Sequence, residues 1–474
     1  MTRVLVITHE RIGPAMAGPG IRACELARQL HATCSVTLVT MLPLGAPVDA
    51  GFPVLSCAED HHHLFRLAAE ADVLVLQGLM LRRFPRLGQL GKRLVMDMYD
   101  PFVFEAYPQL DLTSAEGRAQ LVELWDIQNE QMDQADFFIC ASERQRDMYL
   151  GRFCALGRLT PELSGRDPSF RSLIDVVPFG VQDLPPVPSG QPVLRGVVPG
   201  IGNDDTLLLW GGGIWDWFDP LTVIRAVAEV ARTRSDVKLV FLGTRPPNPE
   251  LAEMSMTARA RALSDELGLT GSHVFFNEGW VPYARRQDYL LESDLGISSH
   301  FDALETRFAF RTRVLDYFWA GLPVLTTEGD SMAEQVERLG LGRVLPYGSV
   351  EAWTEVITEM AEDRAARADI RSRVVAHREA LRWSVVARPL VAYCRAPWTT
   401  PRPVWSVSGA YAHKFRPAWS RAWTRIVRAW REGGPRLLVR KSAGYVLRRL
   451  PVACLGYAKV IPGVMPMFDG MRWT

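Results

Sequence analysis

The stretch SHFDALETRFAFRTRVLDYFWAGLPVLTTEGD, residues 299 to 330, sets Asp302, Glu305, Arg307, Arg311, Arg313 and Asp316 beside a run of apolar side chains. Charges of both signs at this density commonly mark a solvated helix face. Here they follow an apolar strand-like segment, DLGISS, and precede another, PVLTT, so they fall in a loop and helix start at the carboxyl end of a strand. In open α/β sheets that edge is where ligands bind.

A helix starting near Phe310 would offer its free amides and the positive end of its dipole at residues 309 to 311, a position suited to phosphate. Guanidinium groups of Arg307, Arg311 and Arg313 match phosphate oxygens bidentately. Asp316, one turn deeper, could accept both hydroxyls of a ribose whose diphosphate rests on the helix start. Gly321 followed by Pro323 supplies the helix stop. Taken alone, the pattern fits a nucleoside diphosphate site or a structural salt-bridge cluster.

A second segment favours the nucleotide. In LLLWGGGIWDWFDP, Gly212 and Gly213 belong to a glycine run directly after a strand, where backbone amides can approach a diphosphate closely. A tight turn is the alternative. Near the N-terminus, Gly18, Gly20 and Ala23 form G-x-G-x-x-A, but about ten residues after the first strand, and the second strand, SVTLVT, ends without a ribose-binding acid. We therefore expect Gly18 and Gly20 to belong to a flexible loop roofing the cleft, in contact with the nucleotide; a dinucleotide-dependent oxidoreductase is the competing reading. VMDMYDPF ends another strand with Asp97 and Asp100, either of which could position an acceptor hydroxyl or act as a base, or else cap the next helix. SERQRD offers Arg144 and Arg146 as anion contacts.

The elements that must position these groups are legible as periodicity. Segments 3–8, 35–40, 71–78, 93–100, 135–142 and 174–181 are short apolar strands separated by helical stretches, and a second series begins at residue 206. This alternation predicts an α/β protein with two Rossmann-like, doubly wound domains: residues 1–185, then 186–394 after a Pro/Gly-rich joint, with a basic helical extension at 395–474. The cleft between two such domains favours ligands.

At 474 residues and 48% hydrophobic content, the chain is globular and long enough for about two domains of roughly 100–200 residues each, plus the extension. A net charge of +1 conceals an acidic body and a basic end. Seven scattered cysteines, none spaced C-x-x-C, signal neither a disulfide framework nor a zinc site, and fit a reducing cytoplasm. The N-terminus enters a strand at once and lacks a signal-peptide pattern. His61, His62 and His63 point in different directions on a predicted helix, so no metal site is expected and no cofactor is implied. In WSRAWTRIVRAWR, Trp419, Trp423 and Trp430 form one stripe flanked by arginines, and Val439, Ala443, Val446, Leu447 and Leu450 form another beside Arg440, Lys441, Arg448 and Arg449. Trp with a basic face fits a helix on an anionic membrane surface, or one docked on an acidic domain; nucleic acid is not expected.

The two-domain pattern, VVPFGV at the junction, GWVPYARRQDYLLESDLGIS and the ending LDYFWAGLPVL resemble the retaining GT-B glycosyltransferases of family 4 over about residues 3 to 394. The resemblance implies that RWSVVARPLVAYC crosses back onto the first domain, and that a nucleotide-diphosphate sugar gives its sugar to a glycan acceptor. The family carries two acids separated by seven residues. Asp316 matches the second, which implies the ribose contact, but Phe308 stands at the first, and Glu305 or Asp302 is expected to stand in. The basic residues usual in the loop after residue 210 are replaced by Gly213 and Phe218, with the arginines of ETRFAFRTR supplying charge from the facing side. The basic tail extends the expectation to a lipid-linked acceptor in cell-surface polysaccharide synthesis, at the inner face of the membrane. A non-catalytic nucleotide- or glycan-binding protein is a further alternative, because of Phe308.

Overall fold

The computed structural model describes residues 1–402 except 15, 46–47, 245–253, 280 and 283–284. The Trp and basic stripes of the tail lie outside the described residues.

The first domain is a seven-stranded parallel sheet, β1 (Arg3–Thr8), β2 (Ser35–Thr40), β3 (Val54–Ser56), β4 (Val73–Gln77), β5 (Arg93–Asp97), β6 (Phe137–Cys140) and β7 (Ile174–Val176), in the order β3-β2-β1-β4-β5-β6-β7. Its helices are α1 (Gly18–His31), α2 (His61–Glu70), α3 (Met80–Arg83), α4 (Phe102–Glu105), α5 (Ala115–Gln134), α6 (Glu143–Ala155) and α7 (Pro161–Arg166). The second sheet, β8 (Thr206–Trp210), β9 (Val237–Phe241), β10 (Val274–Phe276), β11 (Leu295–Ser298), β12 (Val324–Thr327) and β13 (Gly342–Leu345), runs in the order β10-β9-β8-β11-β12-β13. With it come α8 (Pro220–Ala231), α9 (Ser255–Glu266), α10 (Arg286–Glu292), α11 (Leu304–Phe308), α12 (Thr312–Ala320), α13 (Ser331–Leu339), α14 (Val350–Glu362), α15 (Arg364–Arg378), α16 (Trp383–Val386) and α17 (Arg388–Arg395).

These strands are near-continuous apolar runs because helices cover both faces of each sheet, and almost every residue of β1, β4, β8 and β9 is buried. Strand order reverses between β1 and β4 in one sheet and between β8 and β11 in the other. Each reversal opens a crevice at the carboxyl ends of the strands. The short strands β3 and β13 escape the sequence pattern: VLS is only three residues long, and GRVL begins with glycine and arginine.

The chain returns to the first domain at its end. Val181 pairs with Arg382, and Trp383 lies so close to Gly180 that a Cβ there would stand 2.8 Å from the indole. In α17, Tyr393 stacks on Phe137 of β6 at 4.5 Å. Residues 395–402, expected to open the tail, belong instead to this surface: Arg395 ends α17, the Trp398 indole donates to the Ser172 carbonyl at 2.9 Å, and Thr400 is buried with its hydroxyl on the Asp136 carbonyl. Among the described residues, no helix is long and apolar enough to cross a membrane.

Candidate active site

At the second crevice, β8 leads into Gly211, Gly212 and Gly213. Gly212 takes φ +90°, which L side chains rarely adopt. This turn is bolted to α12 twice. The Tyr317 phenol oxygen accepts from the Gly211 amide at 2.8 Å, and Arg313 Nη2 donates to the Gly213 carbonyl at 2.7 Å. The Tyr317 ring fills the space beside Gly296, where any Cβ would come within 2.3 Å of it, so β11 needs glycine at that point. Gly321 then ends α12 in the left-handed region at φ +75°, as the sequence led us to expect.

At the carboxyl end of β11 and in the first turn of α12, Ser298 Oγ, Ser299 Oγ and Arg313 Nη1 are buried without a hydrogen-bond partner. Buried polar groups are normally hydrogen-bonded, so these three atoms have bonding capacity left for a polar ligand. Arg313 rests on the Phe218 ring at 3.9 Å and on Trp210 at 4.6 Å, and burial lowers its pKa to about 10, which leaves it charged at neutral pH.

The helix start differs from expectation. The chain forms the short α11, breaks at Ala309 to Arg311, and begins α12 at Thr312 rather than near Phe310. The break folds Arg311 inward. Its guanidinium makes a bidentate pair with Glu305 at 2.9 and 2.8 Å and approaches Asp330 at 3.5 Å, all three side chains being buried. Arg311, expected on a phosphate, is thus engaged by carboxylates, and Glu305, expected on the sugar, is engaged by Arg311. Arg307 and Asp302 are exposed, and Asp316 is partly exposed with Arg286 at 3.0 Å. Residues 299 to 316 therefore hold a salt-bridge cluster and, two residues from Arg311, an arginine set on aromatic rings beside the glycine turn.

On the first domain, Gly18 and Gly20 open α1 rather than lying in a free loop. Gly20 is required because a Cβ would come within 2.6 Å of the Arg11 carbonyl, pinning the β1–α1 loop to the helix. From the next turn, Arg22 reaches Asp97 at the end of β5 with bonds of 2.7 and 2.8 Å and touches the Val177 carbonyl at 2.8 Å. Tyr99 and Phe179 flank it, their centroids 4.9 and 5.1 Å from its carbon. Asp97 is thereby a structural partner.

Asp100 does not cap α4, whose start lacks a side-chain cap. It is half-buried and hydrogen-bonds Glu105. Burial pushes Asp100 up to about 6; the bond from Glu105 pulls the other way, while the charges of Glu305 and Asp97 add to the rise. Burial and the neighbouring Asp100 raise Glu105 well above the usual carboxylate range, so Glu105 holds the proton that the pair shares. Glu105 carried no sequence signal, being the end of a short apolar helix.

The domains meet across these residues. Gln145 Nε2 donates to the Tyr99 carbonyl at 2.8 Å and to the Phe308 carbonyl at 2.7 Å. Arg144, expected on an anion, binds the Gly329 carbonyl and Glu334 of the other domain, and Arg146 is spent on the Ile174 and Ser169 carbonyls. His300, buried between Thr327 and the Glu328 carbonyl, is kept neutral by burial and by Arg311. His61 to His63 form the first turn of α2, and no group of three His, Cys, Asp or Glu able to hold a metal occurs among the described residues.

Residues 206–363 match the family model described as "Glycosyl transferases group 1". Solved structures with the same architecture include WaaG, a glycosyltransferase involved in lipopolysaccharide biosynthesis, at 17% identity and TM-score 0.56 over 83% of this chain and 100% of that one. HepE of Anabaena, in complex with UDP and glucose, aligns at 14% identity and TM-score 0.57 over 83% and 99%. Sucrose-phosphate synthase from Thermosynechococcus elongatus aligns at 14% and 0.54 over 83% and 98%. No curated protein matches the chain in sequence.

Proposed function

We propose, from the premise that this chain is a GT-B protein carrying a group 1 glycosyltransferase domain at residues 206–363, that it is a retaining hexosyl transferase. It moves a sugar from a nucleotide-diphosphate donor to a lipid-linked glycan in cell-surface polysaccharide synthesis. The observation that carries this reading is the set of orphaned buried atoms, Ser298 Oγ, Ser299 Oγ and Arg313 Nη1, beside the Gly212–Gly213 turn. HepE, whose fold is similar, binds UDP and glucose, and WaaG acts in lipopolysaccharide biosynthesis.

In this reading the diphosphate lies on the glycine turn and the first amides of α12, with Arg313 meeting the charge that develops on the leaving group. Positive charge for that step comes from the guanidinium and amides, without a metal ion. Arg307 approaches from solvent, and Asp316 takes the ribose hydroxyls after releasing Arg286. Asp100, with its proton-sharing partner Glu105, faces the acceptor side and receives the proton of the attacking hydroxyl. Glu305 orients Arg311 and sets the charge around Asp100, and Asp302 stands at the rim. Arg440, Lys441, Arg448 and Arg449 of the tail contact anionic lipid at the inner face of the membrane, where each basic residue contributes about 1 kcal/mol.

A thermal-shift screen of UDP-, GDP- and dTDP-sugars tests the donor reading. A ligand at 100 times its Kd adds about 2.7 kcal/mol of stability. A rise with one nucleotide family, lost in Arg313→Ala, is the expected result; no rise with any of them overturns the reading.

A further inference from the structure

The longest helix of the first domain, α5, has a face that the domain does not cover. Ala115, Ala119, Val122, Trp125 and Asp133 recur at helical spacing on one side and are exposed, Val122 at 49% and Trp125 at 39%. A valine and a tryptophan three residues apart thus stand exposed in the middle of this 20-residue helix, whose other face buries Leu121, Ile127 and Met132. The same helix carries Glu116, Glu123, Asp126, Glu130 and Asp133 against one basic residue, Arg118, and Arg82 of α3 pairs with Glu130 at 2.8 Å and Glu123 at 3.6 Å, which leaves Glu116 and Asp133 as the exposed acids toward its two ends.

The described chain ends at this helix. Arg402 donates to the carbonyls of Asp133 and Gln134 at the carboxyl end of α5 and lies 3.6 Å from Asp136. The described residues therefore end at the foot of the acidic, partly apolar face. The remaining stretch of chain is complementary to that face in both respects. Residues 403–474 contain thirteen Lys or Arg and two acids, and within them Trp419, Trp423 and Trp430 are interleaved with Arg421, Arg425, Arg428 and Arg431. The sixteen residues 403–418 span up to about 50 Å when extended, more than the roughly 30 Å length of α5, so the reach is sufficient.

We propose that residues 419–431 dock on α5 of the same chain, with tryptophans against Val122 and Trp125 and arginines among the helix's carboxylates. Apolar contact at the centre with charge at the rim is the arrangement of stable interfaces. The docked stripe leaves the second basic stripe, residues 439–450, free for lipid. This inference is independent of the sugar-transfer reading, since nothing in α5 or the tail is assigned to donor binding.

The test uses the full-length protein and limited trypsin digestion, with cleavage at Arg421, Arg425 and Arg428 followed by mass spectrometry. Replacing Val122 and Trp125 together by Asp should accelerate cleavage about tenfold. Glu116→Arg with Asp133→Arg should do the same, and Arg421→Glu with Arg425→Glu added to that pair should restore a lower rate at Arg428. Amides of α5 should exchange faster in the same variants that digest faster. Cleavage rates unchanged by the α5 substitutions overturn the proposal. So does protection that arises only when phosphatidylglycerol vesicles are added, which assigns the Trp stripe to the membrane. Donor-induced thermal shifts, measured in parallel, report on the transfer reading alone.

Discussion

Phe308 stacks on Phe104 across the cleft, with ring centroids 5.3 Å apart and planes 25° from parallel. The residue standing where the resemblance would place a sugar-contacting acid is thus an interdomain contact. Aromatic pairs contribute about 0.5–1.5 kcal/mol beyond burial. A double-mutant cycle with Phe104→Ala and Phe308→Ala, read by denaturant unfolding, should show coupling in that range. Additive effects would mean that the rings merely adjoin.

Arg311 is buried against Glu305 and Asp330, and removing one partner of such a pair costs about 3–5 kcal/mol because the other charge is left uncompensated. Arg311→Ala should therefore lower the melting temperature sharply, whereas Arg313→Ala should weaken nucleotide binding. Loss of one charge-assisted contact, about 1.5–3 kcal/mol, corresponds to roughly 10- to 150-fold in Kd. Titration of both variants with free nucleoside diphosphate separates the roles; equal affinity for nucleotide in Arg313→Ala and the parent protein removes Arg313 from the donor site.

Asp100 gives a pH prediction with a definite sign. Its folded pKa, about 6, lies above the ordinary aspartate value of 3.8, so the folded state binds more protons than the unfolded state between those values. Its contribution to stability falls as pH rises through that window, and Asp100→Asn should flatten that part of the profile. If Asp100 accepts the acceptor's proton, kcat should instead rise through about pH 6, and Asp100→Asn should lower kcat far more than it alters donor KM. A variant with parental kcat would exclude that role.

Gly20→Ala should be costly although the residue lies in a helix, where alanine is ordinarily favoured. The Arg11 carbonyl leaves no room for the methyl group, so the β1–α1 loop must move. A melting temperature equal to or above that of the parent would show that the loop yields.

Much of the architecture was legible in the sequence because it is written locally. Apolar segments such as RVLVIT and VKLVF, too short for helices and bounded by turn residues, identify buried parallel strands, and Gly321 identifies the end of α12 by its backbone freedom. The glycine turn after β8 was readable for the same reason. The fate of the charges was not. Arg311 and Arg313 are two residues apart with the same side chain, yet one pairs with Glu305 and the other rests on the Phe218 and Trp210 rings, because the chain breaks between α11 and α12 and turns them into different surroundings. Asp97 and Asp100 diverge likewise: Arg22, 75 residues away in sequence, claims the first, and Glu105 shares a proton with the second. Composition and periodicity determine which elements form; only the tertiary packing of those elements within each domain decides which charges are partnered, and the decision rests on desolvation and pairing that local sequence does not encode.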